Sequence, residues 1–350
     1  MTNLRHSKIG ATHCAAGWAL FLAAALLVLA GCPSRQAATT SVAPSLPTVT
    51  VGYFPNVTHA PAVLGFSAAD GTFAKALAGK ATLATKTFNA GPAAMEALHA
   101  GALDLCFVGP APAINAFAKG ADLVLIANVA NGGSVLVARK GSGVAGLKDL
   151  AGRKIAVPQL GNTQDAMLRH LLKQAGLKLT DEGGTTSVLA VQNPDILGLF
   201  ERGQLDAACV PEPWGSRLEI EAGATVVLDW KAIWRDGKYP VTVLVARKEF
   251  LTAHRDVVAA FVQALRQVTD KLAKSPTAQA AALNAELKTL TGQALKPEVI
   301  TRALGRLNFT TAPDAEALKA MAEVMHEVGY AKTVPDLTGF IDPTLLSPTH

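Results

Sequence analysis

Asn89-Ala-Gly-Pro92-Ala-Ala-Met95-Glu-Ala-Leu98-His-Ala-Gly101-Ala-Leu103-Asp104-Leu-Cys-Phe-Val108-Gly-Pro110 is echoed about 102 residues later by Val191-Gln-Asn-Pro194-Asp-Ile-Leu197-Gly-Leu-Phe200-Glu-Arg-Gly203-Gln-Leu205-Asp206-Ala-Ala-Cys-Val210-Pro-Glu212. In both stretches a proline stands where a helix would open, a place that suits its fixed φ and missing N–H. Apolar residues follow at helical spacing, Met95 with Leu98 and Leu197 with Phe200. Gly101 and Gly203 end the helices. Then come Leu-Asp and an apolar strand that runs into proline. Upstream the echo is fainter: Val51-Gly-Tyr-Phe-Pro55-Asn-Val-Thr-His59 parallels Ile155-Ala-Val-Pro158-Gln-Leu-Gly-Asn162 as strand, proline and polar turn. Each unit therefore alternates strand and helix, which predicts a parallel sheet clad in helices. Two units at a fixed period predict two similar α/β lobes.

Two further strands repeat each other. Ser134–Lys140 and Val241–Lys248 both contain Val-Leu-Val-Ala-Arg-Lys, and we expect them to be the paired crossings of a two-segment hinge. On that reading the first lobe takes residues 48–134, the second 135–244 with the hinge strands, and the first lobe resumes over 245–350. In the returning tail Val257, Val258, Phe261, Val262, Leu265, Val268 and Leu272 form one helical stripe, the mark of core packing. Helices near 276–290, 297–306 and 313–328 add cladding.

The N-terminus reads as an address. Arg5 and Lys8 precede the apolar run Trp18–Ala30, which is shorter than the roughly 20 residues of a membrane span and suits a signal-peptide core. It ends in Leu29-Ala30-Gly31-Cys32, similar to the lipobox of bacterial lipoproteins. That resemblance implies cleavage before Cys32, acylation of its sulfur and attachment to the membrane. Residues 32–47, small, polar and proline-containing, predict a flexible tether.

Composition narrows the rest. The chain has 32 Lys and Arg against 27 Asp and Glu, a formal charge of +5. No basic stripe carries interleaved aromatics, so nucleic acid is not the partner. Of four cysteines, Cys14 falls in the leader and Cys32 is the anchor. Cys106 and Cys209 lie in apolar strands of different lobes and read as buried free thiols. No spacing of Cys and His suggests a metal or other cofactor.

Ligands of open α/β sheets bind beyond the carboxyl ends of the strands. The turns expected there are 55–59, 89–92, 109–112, 131–134, 159–164 and 211–214. None contains Lys or Arg. Several open helices, whose free N–H groups and positive dipole ends make anion sites without a cationic side chain. The expected ligand residues are Tyr53, Asn56, His59, Asn89, Gly91, Pro110, Asn131, Ser134, Asn162, Thr163, Glu212 and Trp214. Singly, such residues are ordinary turn chemistry, and Glu212 reads equally as the cap of the helix it opens. Their weight comes from recurring at equivalent strand ends of two facing lobes.

The run Gly52–Ala62, the segments Phe88–Ala93 and Val108–Ala116, and Glu212-Pro-Trp-Gly-Ser-Arg217 resemble the nitrate/sulfonate/taurine group of periplasmic binding proteins, the aliphatic sulfonate branch most of all. The resemblance spans roughly residues 48–260. It implies a two-lobed type II periplasmic-binding fold with the ligand between the lobes, closure on a small anionic or zwitterionic ligand, and an ABC permease and ATPase as partners of a monomeric receptor that is no enzyme. Related branches imply nitrate or bicarbonate, or a thiamine-precursor pyrimidine that would stack on Tyr53 or Trp214. A pyrimidine synthase on the same fold and a ligand-presenting sensor lipoprotein are the readings of other classes. The lipobox reading has a direct check: Cys32→Ser should move the protein from the membrane fraction to the soluble one, and a variant that still pellets with membranes refutes it.

Overall fold

A computed structural model describes residues 45–346. The expected leader, Cys32 and nearly all of the tether lie outside these residues. From Leu46 onward the chain forms one compact unit built on two sheets. The strands of the first lobe are β1 (Thr48–Tyr53), β2 (Thr82–Thr87), β3 (Leu105–Val108) and β4 (Leu123–Gly132). Those of the second are β5 (Ser134–Ala138), β6 (Lys154–Val157), β7 (Ser187–Ala190), β8 (Ala207–Pro211) and β9 (Thr225–Leu228). β10 (Pro240–Arg247) and β11 (Leu307–Phe309) return to the first. The sheet orders are β11-β4-β10-β3-β1-β2 and β7-β6-β8-β5-β9.

Helices fill the crossovers. α1 (Ala60–Gly65) and α2 (Thr72–Leu77) join β1 to β2, α3 (Gly91–His99) joins β2 to β3, and α4 (Pro110–Ala118) leads to β4. In the second lobe α5 (Thr163–Gln174), α6 (Asn193–Glu201) and α7 (Trp214–Ala222) take the corresponding places. The tail supplies α8 (Lys248–Ala253), α9 (Arg255–Lys274), α10 (Ala280–Thr291), α11 (Pro297–Leu304) and α12 (Ala315–Glu327). The seven expected stripe residues of α9 are all buried. Phe261 stacks on Phe73 at 4.3 Å within a cluster that also takes in Phe66 and Phe107. Burial of each such side chain contributes about 1.5–3 kcal/mol, so this face fixes the tail to the first sheet.

The repeat extends to hydrogen-bond register. Parallel trios β2-β1-β3 and β7-β6-β8 have the same order, and each is flanked by an antiparallel strand, β10 beside β3 and β5 beside β8. Val243 faces Val108 as Val135 faces Val210, and Ala246 faces Leu105 as Ala138 faces Ala207. This corrects the expected hinge. The two Val-Leu-Val-Ala-Arg-Lys strands do not pair with each other and do not cross. Each enters its own sheet just after the chain has crossed. The first crossing is the turn at Gly132 and Gly133, with φ of +78° and +68°. A Cβ on Gly133 would stand 2.4 Å from the tip of Leu307, and the positive φ itself favours glycine at that turn. The second crossing is residues 229–239, so residues 240–244 belong to the first lobe and not to the second.

The shared Leu-Asp has a structural cause. Asp104 Oδ2 accepts the Thr50 N–H at 2.9 Å while Oδ1 receives Arg247 Nη2 at 2.7 Å. In the second lobe Asp206 Oδ2 accepts the Lys154 N–H at 3.0 Å, and Arg139 Nη2 stands 3.6 Å from its Oδ1. Each carboxylate ties three strands together at the end of the sheet opposite the helix-opening turns. Asp104→Ala, which leaves the Thr50 amide and the Arg247 guanidinium short of a partner, should cost about 2 kcal/mol. The measurement is the urea midpoint at constant slope, and an unchanged midpoint would show that the clip is dispensable.

Candidate functional site

A narrow cleft of about 30 Å³ lies where the carboxyl ends of the two parallel trios face each other. Its wall draws on the residues just past, or at the end of, all six parallel strands: Phe54 after β1, Asn89 after β2, Gly109 after β3, Pro158 after β6, Asn193 after β7 and Pro211 ending β8. Asn56, Thr58 and His59 come from the turn into α1, Gly91 from the start of α3, and Asn162, Thr163 and Gln164 from the start of α5. No Lys, Arg, Asp or Glu lines it. The first turns of α3, α4 and α6 have no side-chain cap, so their remaining N–H groups and dipole ends are not otherwise satisfied by capping.

Three buried polar atoms at the cleft have no partner: Asn56 Oδ1, Thr163 Oγ1 and Asn193 Oδ1. The residues that carry them are only 5%, 2% and 6% exposed. A buried polar group without a hydrogen bond costs about 1–3 kcal/mol. The Thr163 hydroxyl can donate to an anion, whereas Asn56 Oδ1 and Asn193 Oδ1 only accept and call for a donor on the ligand. Neighbouring side chains hold the wall in place. Asn162 Oδ1 caps α5 through the Asp165 N–H at 2.8 Å, and its Nδ2 donates to Gln164 Oε1 at 3.2 Å. Gln164 Nε2 donates to Ser134 Oγ at 2.9 Å. Asn89 Nδ2 reaches from the first lobe to Gln192 Oε1 of the second at 2.8 Å.

His59 is 2% exposed, stacks on Phe54 at 4.3 Å, and accepts the Phe54 N–H on Nδ1 at 3.4 Å. An accepting Nδ1 leaves the proton on Nε2, so the ring is a neutral donor. Burial drives its pKa down from 6.5 to about 3.

Of the twelve expected ligand residues, the structure brings six to this cleft: Asn56, His59, Asn89, Gly91, Asn162 and Thr163. The other six stand elsewhere. Tyr53 shares a strand face with Val49 and Val51 and packs against Phe66 in the core at 4.8 Å, because strand alternation turns Phe54 to the cleft instead. Pro110 packs at the head of α4, while Gly109 and Pro112 line the cleft. Asn131 is engaged in the sheet, opposite Asn308 and accepting Asn128 Nδ2 at 2.7 Å. Ser134 sits behind Gln164. Glu212 is fully buried, accepts the Ser216 N–H at 3.1 Å and pairs with Arg306 at 2.8 Å. Burial pushes its carboxyl up and the guanidinium pulls it back down. It caps α7 and is not free for a ligand ammonium. Trp214 lines an adjoining cavity.

Sequence reasoning passed over Phe54, Thr58, Gly109, Gln164 and Asn193 as site residues. The repeat held the signal for Asn193, which occupies the place of Gly91 before the helix-opening proline. Gly109 brings backbone against the opposite lobe: a Cβ there would lie 2.3 Å from Thr163 Oγ1. Cys106 and Cys209 are buried free thiols, and burial pushes both far up from the ordinary thiol range. Among the described residues no helix is long and apolar enough to cross a membrane, and no cluster of His, Cys, Asp or Glu forms a metal site.

The neutral ring of His59 predicts a pH dependence. The unfolded chain takes up a proton there as pH falls through about 6.5, and the folded protein does so only near 3. The unfolded state therefore binds more protons in that window, and the stability that His59 supplies is complete above 6.5 and lost toward 3. Wild type should lose more stability between pH 7 and pH 4.5 than His59→Gln, by chemical denaturation at both values. Equal losses would mean that the ring is charged in the folded protein.

Known proteins share this architecture. The chain is 31% identical over 201 residues to a putative aliphatic sulfonates-binding protein of Escherichia coli strain K12, covering 57% of this chain and 60% of that one. It is 30% identical over 197 residues to the taurine-binding periplasmic protein of the same strain, covering 56% and 58%. The matches thus span about three fifths of the length of these curated relatives. The crystal structure of the periplasmic aliphatic sulphonate binding protein SsuA from Escherichia coli superposes with a TM-score of 0.66 at 26% identity, over 87% of this chain and 96% of that one. Its likeness extends to the two-lobed periplasmic-binding fold that the internal repeat implied. Residues 42–285 match the NMT1-like family, and the chain belongs to that family.

Proposed function

We propose that this protein is the extracytoplasmic substrate-binding component of an ABC importer, held to the membrane by acylated Cys32, and that it binds a small organosulfonate without chemical change. The observation that carries the reading is a cleft at convergent helix N-termini of both lobes, free of charged side chains, with the buried Thr163 hydroxyl without a partner. Such a site stabilises an oxyanion with fixed dipoles and neutral donors: His59 Nε2–H, the Thr163 hydroxyl and the amides of Asn56 and Asn193. The names of the sulfonate- and taurine-binding relatives support the same chemistry. With Thr163 already against Gly109 and Asn89 bonded to Gln192 across the lobes, the two lobes would enclose the head group between them. A permease and its ATPase then receive the ligand from a monomeric receptor.

The enzyme alternative calls for reactive cysteines beside His59 at the cleft. A thiol whose pKa is driven up by burial is not a thiolate at neutral pH, and neither cysteine lines the cleft. A pyrimidine remains the second reading, because Phe54 offers an aromatic face beside amides that present both donors and acceptors.

A thermal-shift screen of the full chain in mild detergent tests this, with methanesulfonate, taurine, sulfate, nitrate, bicarbonate and a hydroxymethylpyrimidine as probes. A ligand at a hundredfold excess over Kd stabilises the folded state by about 2.7 kcal/mol. Sulfonates should raise the melting temperature, and Thr163→Val should weaken that binding at least tenfold. A rise with the pyrimidine alone overturns the oxyanion reading, and no rise with any probe overturns the receptor for this ligand class.

A further inference from the structure

A second cavity, of about 410 Å³, opens beside the first and shares Phe54, Asn56, Asn89 and Asn193 with it. Its character is different. Beyond the shared rim its wall is largely apolar, with Phe88, Trp214, Leu287, Leu290 and Leu295 on it. Leu290 is 37% exposed, a large apolar side chain left open to solvent at the end of α10. The far wall is held firmly: Asn284 Nδ2 donates to the Leu295 carbonyl and Asn284 Oδ1 accepts the Leu295 N–H, both at 2.8 Å. The one charged side chain on the wall is Arg217, which lies over the Trp214 ring at 5.5 Å and pairs with Glu221 at 2.8 Å. No carboxylate lines either cavity. A ligand ammonium would find no counter-charge here, whereas an apolar ring would find an aromatic face and open leucines.

We propose that the second cavity is the subsite for the organic tail of the same ligand, so that the preferred substrate is a sulfonate bearing an uncharged or acid-bearing ring and not a short aminosulfonate. This rests on the oxyanion reading of the first cavity. The tail and the head cannot be chosen separately, because the four shared residues make the exit of one the entrance of the other. Leu287 and Leu290 of α10 and Leu295 after it supply the aliphatic part of this wall.

Isothermal titration of the full chain in mild detergent with methanesulfonate, taurine and benzenesulfonate decides it. Benzenesulfonate should bind at least tenfold more tightly than methanesulfonate, since single apolar groups in such pockets are worth factors of about 10–200. Leu290→Asp changes an exposed position and keeps the melting temperature, and it should reduce the benzenesulfonate advantage below threefold. Trp214→Ala should do the same. Equal affinities for benzenesulfonate and methanesulfonate, or tighter binding of taurine than of either, overturn the tail subsite and leave the oxyanion cleft standing. Binding of no sulfonate overturns both.

Discussion

Two carboxylates organise the molecule. Asp104 and Asp206 each gather the amide of a parallel strand and the guanidinium of an antiparallel one, at 2.9 and 2.7 Å in the first lobe and at 3.0 and 3.6 Å in the second. A strand that slips by one residue turns every side chain to the wrong face, so register is the quantity a sheet must fix. The clips fix it at one end, and everything at the other end follows. All six turns leave their sheets at matching heights, and the helices that follow them open toward one cleft. The ion pairs stand at the remote end of each sheet, and the cleft itself is free of ionised side chains.

That separation decides the chemistry at the cleft. A lysine or arginine enclosed there would pay a desolvation cost each time the lobes shut around it. Uncapped helix starts and amide side chains carry partial charges that are fixed in place before the ligand arrives. His59 belongs to the same scheme: burial keeps it neutral and its accepted hydrogen bond from Phe54 leaves Nε2–H as the donor. The charges near the cleft are spoken for. Asp165 accepts from Gly161 N and Arg169 Nε and from the Tyr330 hydroxyl, and Glu212 from Ser216 and Arg306.

The two-lobe fold was legible because a repeated unit writes the same instructions twice, and proline, glycine and Leu-Asp in one register leave few topologies. The duplicated Val-Leu-Val-Ala-Arg-Lys strands were legible as equivalents but not as members of different sheets, since their partners β3 and β8 lie far off in sequence. Six of the twelve expected residues reach the cleft, as strand-end turns should. The other six stand away from it, chiefly through side-chain direction. Tyr53 and Phe54 differ only by the phase of a two-residue alternation. Asn131 and Ser134 are strand residues on either side of the glycine crossing, and Glu212 was claimed by Arg306, 94 positions along the chain. Such long-range partners leave no mark on the local sequence.

The uncharged lining of the cleft also governs how a ligand is found. The field of a dipole falls off more steeply than that of a charge, so the helix ends act at contact and not across the solvent. The cleft wall itself offers an approaching small anion no charged side chain to steer it, so entry there is governed by diffusion and the width of the opening. Discrimination then belongs to the stay, not the encounter: ions that cannot take the Thr163 hydroxyl and the His59 Nε2–H together leave as fast as they came. Dissolved salts, which screen attraction at long range, have little here to screen.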